Sequence, residues 1–195
     1  MAETCPIPLA IRMACMRPAA DLRRSRVTVS AVEAGQAQSG PELTDSDPEA
    51  VRDAVQAHVA AHGVLPANLR VGGVNYRIDV PAHPEARLAG RIAIVTGSGQ
   101  GFGKGMAEGL AAHGAHVVVA DINEETGKAT ASEICAQFGS GAAVFLPINV
   151  MSKESIETCI AATVQTWGGL DMFVANAGVL KAGGLDEISE SDFDF

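Results

Sequence analysis

Glycines occupy every second position from 97 to 105 in the stretch Thr96-Gly97-Ser98-Gly99-Gln100-Gly101-Phe102-Gly103. Backbone with so little side chain can approach a charged oxygen closely. Where such a turn leads into a helix, its free N–H groups and the positive end of the helix dipole favour a phosphate or diphosphate. The register narrows the ligand. G-x-G-x-x-G fails in every register, and G-x-x-x-x-G-K-[ST] fails because Ser98 stands where its first glycine belongs and Gly105 follows Lys104. The pattern that remains is T-G-x-x-x-G-x-G. A flexible linker is the plain alternative, but linkers are seldom bracketed by an apolar run and a helical repeat.

The elements that must position these residues are legible on both sides. Residues 92–95 form an apolar run, and Phe102, Met106 and Leu110 recur four apart up to a stop at Gly114. Residues 116–120 (HVVVA) read as a strand buried on both faces and end at Asp121, which is eighteen residues after Gly103. A helix is expected over 124–137, capped by Asn123, with Ile134, Cys135 and Phe138 inward and Gly139 as its stop. Residues 143–148 form a third strand, in which Pro147 implies an early end or a sheet edge. Ser152 caps a helix with Ile156, Ile160, Val164 and Trp167 on one face, and 170–175 give a fourth strand leading into Asn176-Ala177-Gly178.

This order, with T-G-x-x-x-G-x-G, the acid at 121 and the N-A-G turn, resembles the short-chain dehydrogenases/reductases over about residues 88–195. The resemblance implies an α/β fold: a Rossmann-type doubly wound parallel sheet, truncated after the fourth strand, with a largely irregular N-terminal extension. It implies an NAD site built from Gly97, Gln100, Gly101, Phe102, Gly103, Asp121, Asn149, Val150, Asn176, Ala177 and Gly178. Asp121 would accept the adenosine ribose hydroxyls and repel the extra phosphate of NADP, and no Lys or Arg lies within 97–103 or directly after Asp121 to hold that phosphate. The other reading of Asp121 is a helix cap, which Asn123 can supply itself. Asn149 stands where the family usually has Asp, so its contact to the adenine amino group carries no charge. Ala175 replaces the first Asn of N-N-A-G, Asn176 would tie neighbouring strands, and Ala177-Gly178 would let backbone approach the nicotinamide ribose.

The family's acid/base set, Ser with Tyr-x-x-x-Lys, has no match: Tyr76 is the one tyrosine, it precedes the glycine loop, and Val80 stands where Lys would be. No catalytic residue is assigned. Without that tyrosine the proton step loses about 10²–10⁴-fold. Ser189-Glu190-Ser191-Asp192 reads as a helix start near the last residue, Phe195, which suggests a truncated domain short by about a hundred residues. The wording of 100–105 and 177–183 looks closest to polyol and sugar-phosphate dehydrogenases, including the dehydrogenase half of bifunctional class II aldolase proteins. Residues 1–90 are too short for that aldolase domain, and 47–88 would at most be its tail and linker.

The rest of the chain sets bounds. The net charge of −9 is concentrated in one half. Residues 1–90 hold nine Arg against ten acids, a net of −1, whereas 91–195 hold five cations against thirteen acids, a net of −8. This balance argues against a nucleic-acid partner, and no apolar run is long enough to span a membrane. Cys5, Cys15, Cys135 and Cys159 show no C-x-x-C spacing; the latter two read as reduced core thiols, which suits a cytoplasmic protein. Residues 1–46 give no periodic signal and read as a disordered or irregular extension; Arg12, Arg17, Arg23, Arg24 and Arg26 faintly resemble a transit peptide. Residues 47–87 read as a short helix, with Asp47 as cap, Pro48 in its first turn and Val51, Val55 and Val59 on one face, followed by a hairpin or connector over 64–80. His58 and His62 have metal-ligand spacing, but Val59 replaces the Glu of H-E-x-x-H, and a solvated or packed pair is the better reading, so no metal is assigned.

The function expected is an NAD-dependent oxidoreductase of the short-chain type in fragment form. It would act on a hydroxyl or carbonyl of a polyol, sugar or sugar phosphate, with a small-molecule substrate and a homo-oligomeric full-length form. The alternatives are a non-catalytic dinucleotide-binding module and an S-adenosylmethionine-dependent methyltransferase. The last normally carries an acid two residues before its first glycine, where Val95 stands.

Overall fold

A computed structural model describes residues 6–16, 27–33, 40–44, 46–80, 86–179 and 189. Its second half is a parallel sheet with helices on both faces. The elements are β5 (Ile92–Thr96), α3 (Gly101–Ala112), β6 (His116–Asp121), α4 (Glu124–Phe138), β7 (Ala143–Pro147), α5 (Lys153–Trp167) and β8 (Met172–Val174), and the sheet order is β7-β6-β5-β8. Every pairing is parallel. β5 and β6 lie inside the sheet and are apolar on both faces, as covered central strands must be. Their side chains alternate between two cores. Val95, Val117 and Val119 join Ala107 and Ala111 of α3 and Ile134 of α4, while Ile92, Ile94, Val118 and Ala120 join Cys159 and Trp167 of α5. Pro147 ends β7, and β7 is an outer strand of the sheet, where a missing N–H costs no ladder bond.

α3 turns a different face inward from the one its large residues suggest. Gly103, Ala107 and Ala111 face the sheet, while Phe102 is 90% exposed and Met106 is also exposed. Small residues bring the helix axis close to β5 and β6; of the larger side chains that recur four apart, Phe102 and Met106 lie outside and Leu110 packs against the edge of the core.

The first half carries more structure than its sequence announces. α1 (Ile7–Met16), β1 (Thr28–Val32) and β2 (Glu42–Leu43) lie within 1–46, the segment expected to be irregular, and they are joined by α2 (Pro48–His62), β3 (Asn68–Val71) and β4 (Val74–Asp79). These strands form one mixed sheet in the order β1-β4-β3-β2, so 1–46 and 47–87 share a sheet rather than following one another as separate segments. Ile11, Val29, Val51, Val55, Leu69 and Val71 fill its core. α1 hides its signal because Arg12, on its inward side, is 5% exposed and interrupts the apolar face. β1 hides because its partner β4 comes from across more than 40 residues of chain. Residues 64–80 resolve as a hairpin: Gly72 and Gly73 have φ of 55° and 85°, the positive pair that a two-residue type I′ turn requires. α2 starts as expected, with both Glu49 and Ala50 N–H groups bonded to the Asp47 carboxylate. The spacing of His58 and His62 places their rings in a stack at 4.4 Å, and His62 Nδ1 donates to the His58 carbonyl.

The two sheets meet at a buried ion pair. The Arg12 guanidinium donates to Asp171 Oδ2 at 2.7 Å, to the Val27 carbonyl at 2.8 Å and to the Gly90 carbonyl at 3.3 Å. Burial pushes the Cys15 thiol up to about 12, so it is inert as a nucleophile. No helix among the described residues is long and apolar enough to cross a membrane. The helix start expected over 190–192 and the stretch 180–183 used in the subgroup resemblance lie outside the described residues, as do most of the early arginines.

Candidate functional site

All eleven residues singled out in the sequence line one cavity of about 810 Å³, at the C-terminal ends of the parallel strands. That is within the range of ligand pockets. The sheet order explains the location. The chain leaves β5 towards β6 and β7 and later returns to its other side as β8, and at such a reversal the loops part and leave a crevice.

The loop between β5 and α3 is held from three sides. Gly97 and Gly101 take φ of 65° and 59°, which side-chain-bearing residues rarely adopt. A Cβ on Gly97 would lie 2.8 Å from Ala177 Cα, and one on Gly103 would overlap the Gly97 carbonyl and lie 2.6 Å from Asn176 Nδ2. These glycines are therefore required by close backbone approach. Ser98, fully buried, donates to the Val95 carbonyl at 2.6 Å and accepts the Ala120 N–H at 3.0 Å, which pins the loop to β5 and β6. From the third side Asn176 Nδ2 donates to the Thr96 and Gly97 carbonyls at 2.9 and 3.2 Å, and Thr96 Oγ1 accepts the N–H groups of Asn176 and Ala177. Asn176 thus ties the ends of β5 and β8 together, and Thr96 does so with it.

α3 then begins at Gln100 with no side-chain cap. The other helices that border the parallel sheet are capped: Asn123 accepts from Glu125 and Thr126 N–H, and Ser152 accepts from Ser155 N–H. Gly101, Phe102 and Gly103, whose N–H groups open α3, line the cavity, and no side chain caps the helix. This is the electrostatic setting of an anion site.

Asp121 stands beside it at the end of β6. Its Oδ2 accepts the Gly99 N–H at 2.8 Å and its Oδ1 accepts the Asn123 N–H at 2.9 Å. Each oxygen keeps a lone pair, the residue is half-buried, and it lines the cavity. No Lys or Arg lines the cavity among the described residues. Lys104, the nearest cation in the loop sequence, is drawn to Glu133 and Glu108 on the outer side, and the Glu133 hydrogen bond raises its pKa.

Beyond Asp121 the wall turns apolar, with Ile122, Ile148, Val150 and Met151. Asn149 lies among them, but its Oδ1 already accepts the Met151 N–H at 3.0 Å, so the oxygen expected to meet a base is shared with its own turn. Gly178 and Val179 close the side next to β8. Ser98, Ile122, Ile148, Met151 and Val179 were not among the sequence candidates. Ile122 and Ile148 stand one residue past β6 and β7 and could have been found by reading that far, whereas Met151 and Val179 lie further along their loops; Ser98 was hidden inside a motif read for its glycines. Tyr76 lies in the core of the other sheet, and burial raises its pKa.

A family model described as short chain dehydrogenase matches residues 91–195. The trans-4-hydroxycyclohexanecarboxylate dehydrogenase of Sinomonas cyclohexanicum is 38% identical over 105 residues, covering 52% of this chain and 40% of that protein. The sorbitol dehydrogenase of Cereibacter sphaeroides is 37% identical over 108 residues, covering 55% and 40% respectively. A solved structure, the sorbitol-6-phosphate 2-dehydrogenase of Erwinia amylovora, aligns with a TM-score of 0.49 at 37% identity over 52% of this chain and 40% of that one. The chain thus spans about 40% of the length of these relatives. The family match covers the whole stretch that builds the cavity, and the chain belongs to the short-chain dehydrogenase family.

Proposed function

We propose that the cavity holds NAD(H), and that the chain is the cofactor-holding part of an NAD-dependent oxidoreductase acting on a hydroxyl or carbonyl of a polyol, sugar or sugar phosphate. Members of its family are oxidoreductases that use nicotinamide dinucleotides and act on small molecules. The observation that carries the reading is the uncapped start of α3 next to a carboxylate that no cation pairs among the described residues. A diphosphate suits the first, and ribose hydroxyls suit the second. Gln100, Gly101, Phe102 and Gly103 would take the diphosphate, Asp121 the adenosine ribose, and Asn149 and Val150 the base. Asn176, Ala177 and Gly178 would border the nicotinamide ribose. The cofactor supplies hydride transfer; this chain's own residues bind and orient it.

The polyol class is supported by the sorbitol dehydrogenase relative. A cytoplasmic location would keep the free Cys15, Cys135 and Cys159 reduced, and the homo-oligomeric state follows from the family resemblance. Titration calorimetry of the chain with NADH, NADPH and S-adenosylmethionine tests the reading. NADH should bind, NADPH about tenfold or more weakly because its phosphate meets Asp121, and S-adenosylmethionine not at all. Tighter binding of NADPH overturns the role given to Asp121, and binding of S-adenosylmethionine alone overturns the reading altogether.

A further inference from the structure

Thr130 lies on α4, is 1% exposed and does not line the cavity, yet its Oγ1 donates to the Gly99 carbonyl at 3.0 Å. The Gly99 N–H is in turn the donor to Asp121 Oδ2. Gly99 is therefore held at both ends, by a buried hydroxyl on one side and by the ribose-binding carboxylate on the other. The depth of α4 is set by Gly127, where any Cβ would overlap the Phe145 ring of β7, and one turn later Thr130 comes within reach of the loop. The fit has no slack on the Asp121 side: a Cβ on Gly99 would lie 2.6 Å from Thr126 Oγ1 and 2.9 Å from Asp121 Oδ2.

We propose that Thr130 is a positioning residue for cofactor choice. By holding the peptide unit after Gly99 it fixes the Gly99 backbone, whose N–H orients the Asp121 carboxylate, and with it the discrimination against a dinucleotide bearing a 2′-phosphate. Without the hydroxyl, the buried Gly99 carbonyl has lost its partner, and the Gly99–Gln100 peptide unit turns to find another and shifts the Gly99 backbone with it. The Gly99 N–H, in the preceding peptide unit, is displaced from Asp121 Oδ2, and the carboxylate, held then by the Asn123 N–H alone, turns away from the ribose. This rests on the NAD reading above. It predicts a change in selectivity rather than a uniform loss of binding.

The test is the ratio of NADPH to NADH dissociation constants for the purified chain. Thr130→Val, which keeps the side-chain shape, should shrink the ratio about three- to tenfold, and Thr130→Ser should restore it. Thr163→Val, which removes a buried hydroxyl bonded to the Cys159 carbonyl on α5, should leave the ratio unchanged. Gly99→Ala presses on Asp121 directly and should shrink the ratio as Thr130→Val does, which keeps the test decisive if the valine variant fails to fold. An unchanged ratio in whichever of Thr130→Val and Gly99→Ala folds, or an equal loss of both affinities, overturns the proposal. A wild-type chain that binds neither nucleotide overturns the NAD reading and this inference together.

Discussion

The two ends of the parallel sheet use the same side chain for opposite purposes. At the N-terminal end, Asp171 precedes β8 with 11% of its side chain exposed. Its Oδ2 accepts from Arg12 at 2.7 Å and from the Ile92 N–H at 2.8 Å, and its Oδ1 accepts from Arg91 at 3.1 Å. At the C-terminal end, Asp121 accepts only backbone N–H groups and faces an open cavity. A carboxylate whose charge two guanidinium groups neutralise serves as a joint between segments. One held by two peptide N–H groups is oriented without being neutralised, so it still repels a phosphate and still accepts hydroxyls. The difference teaches that the partner of a carboxylate, more than its burial, decides whether it is available for chemistry.

The sharpest way to break this contrast is to remove the cation from the closed end. Arg12→Met keeps much of the side-chain volume and leaves Asp171 buried with Arg91 as its remaining cation. The loss should be about 3–5 kcal/mol, the range for breaking a buried pair from one side. Urea unfolding followed by tryptophan fluorescence would measure it, since Trp167 is the one tryptophan and packs beneath β5 and β6. The ratio of NADPH to NADH affinity in the folded protein should not change, because Arg12 lies at the opposite end of the strands. A shift of that ratio would mean that the two ends are coupled.

The open end is broken next most strongly by Gly103→Ala. The new methyl would overlap the Gly97 carbonyl and press on Asn176 Nδ2, so the loop must move off β8. We expect about 2–3 kcal/mol of destabilisation and loss of detectable NADH binding by calorimetry. Retained binding would show that the loop can shift without opening the anion site. Gly105→Ala, which meets nothing within 4 Å, is the control and should leave binding intact.

Legibility followed the same divide. The parallel sheet announces itself because each strand is a short apolar run next to its own helix, and the glycine register and Asp121 are local patterns. All of the lining residues expected from sequence converge on one cavity. What stayed hidden depends on distant partners. Arg12 reads as one of a run of early arginines that faintly resemble a transit peptide, until Asp171, 159 residues away, comes into contact with it. β1 has no local sign of its pairing with β4. The inward face of α3 was obscured because Gly103, Ala107 and Ala111 carry too little side chain to register as apolar, while the exposed Phe102 does. Thr130 looked like any polar helix residue, and only the fold shows the Gly99 carbonyl above it.

The smallest effect concerns acid, and it tests whether Asp171 is closed for the reason given. Burial is the largest influence on this carboxyl and acts to raise its pKa. The Arg12 hydrogen bond and charge, the Ile92 N–H and Arg91 together outweigh it and hold the group below the ordinary aspartate value. With the folded-state pKa depressed, the unfolded chain binds the proton first, so the stability contributed by Asp171 is fully present above about pH 4 and is lost as pH falls through the folded value. In Arg12→Met the strongest lowering influence is gone while burial remains, so the carboxyl of the variant protonates at higher pH. Protonation there relieves an under-compensated buried charge instead of breaking a pair. The difference in unfolding free energy between wild type and variant should therefore narrow as pH falls from 6 towards 3.5. Urea unfolding at a series of pH values would show it. A constant gap would mean that Arg12 contributes by packing between the two sheets and not by its charge on Asp171.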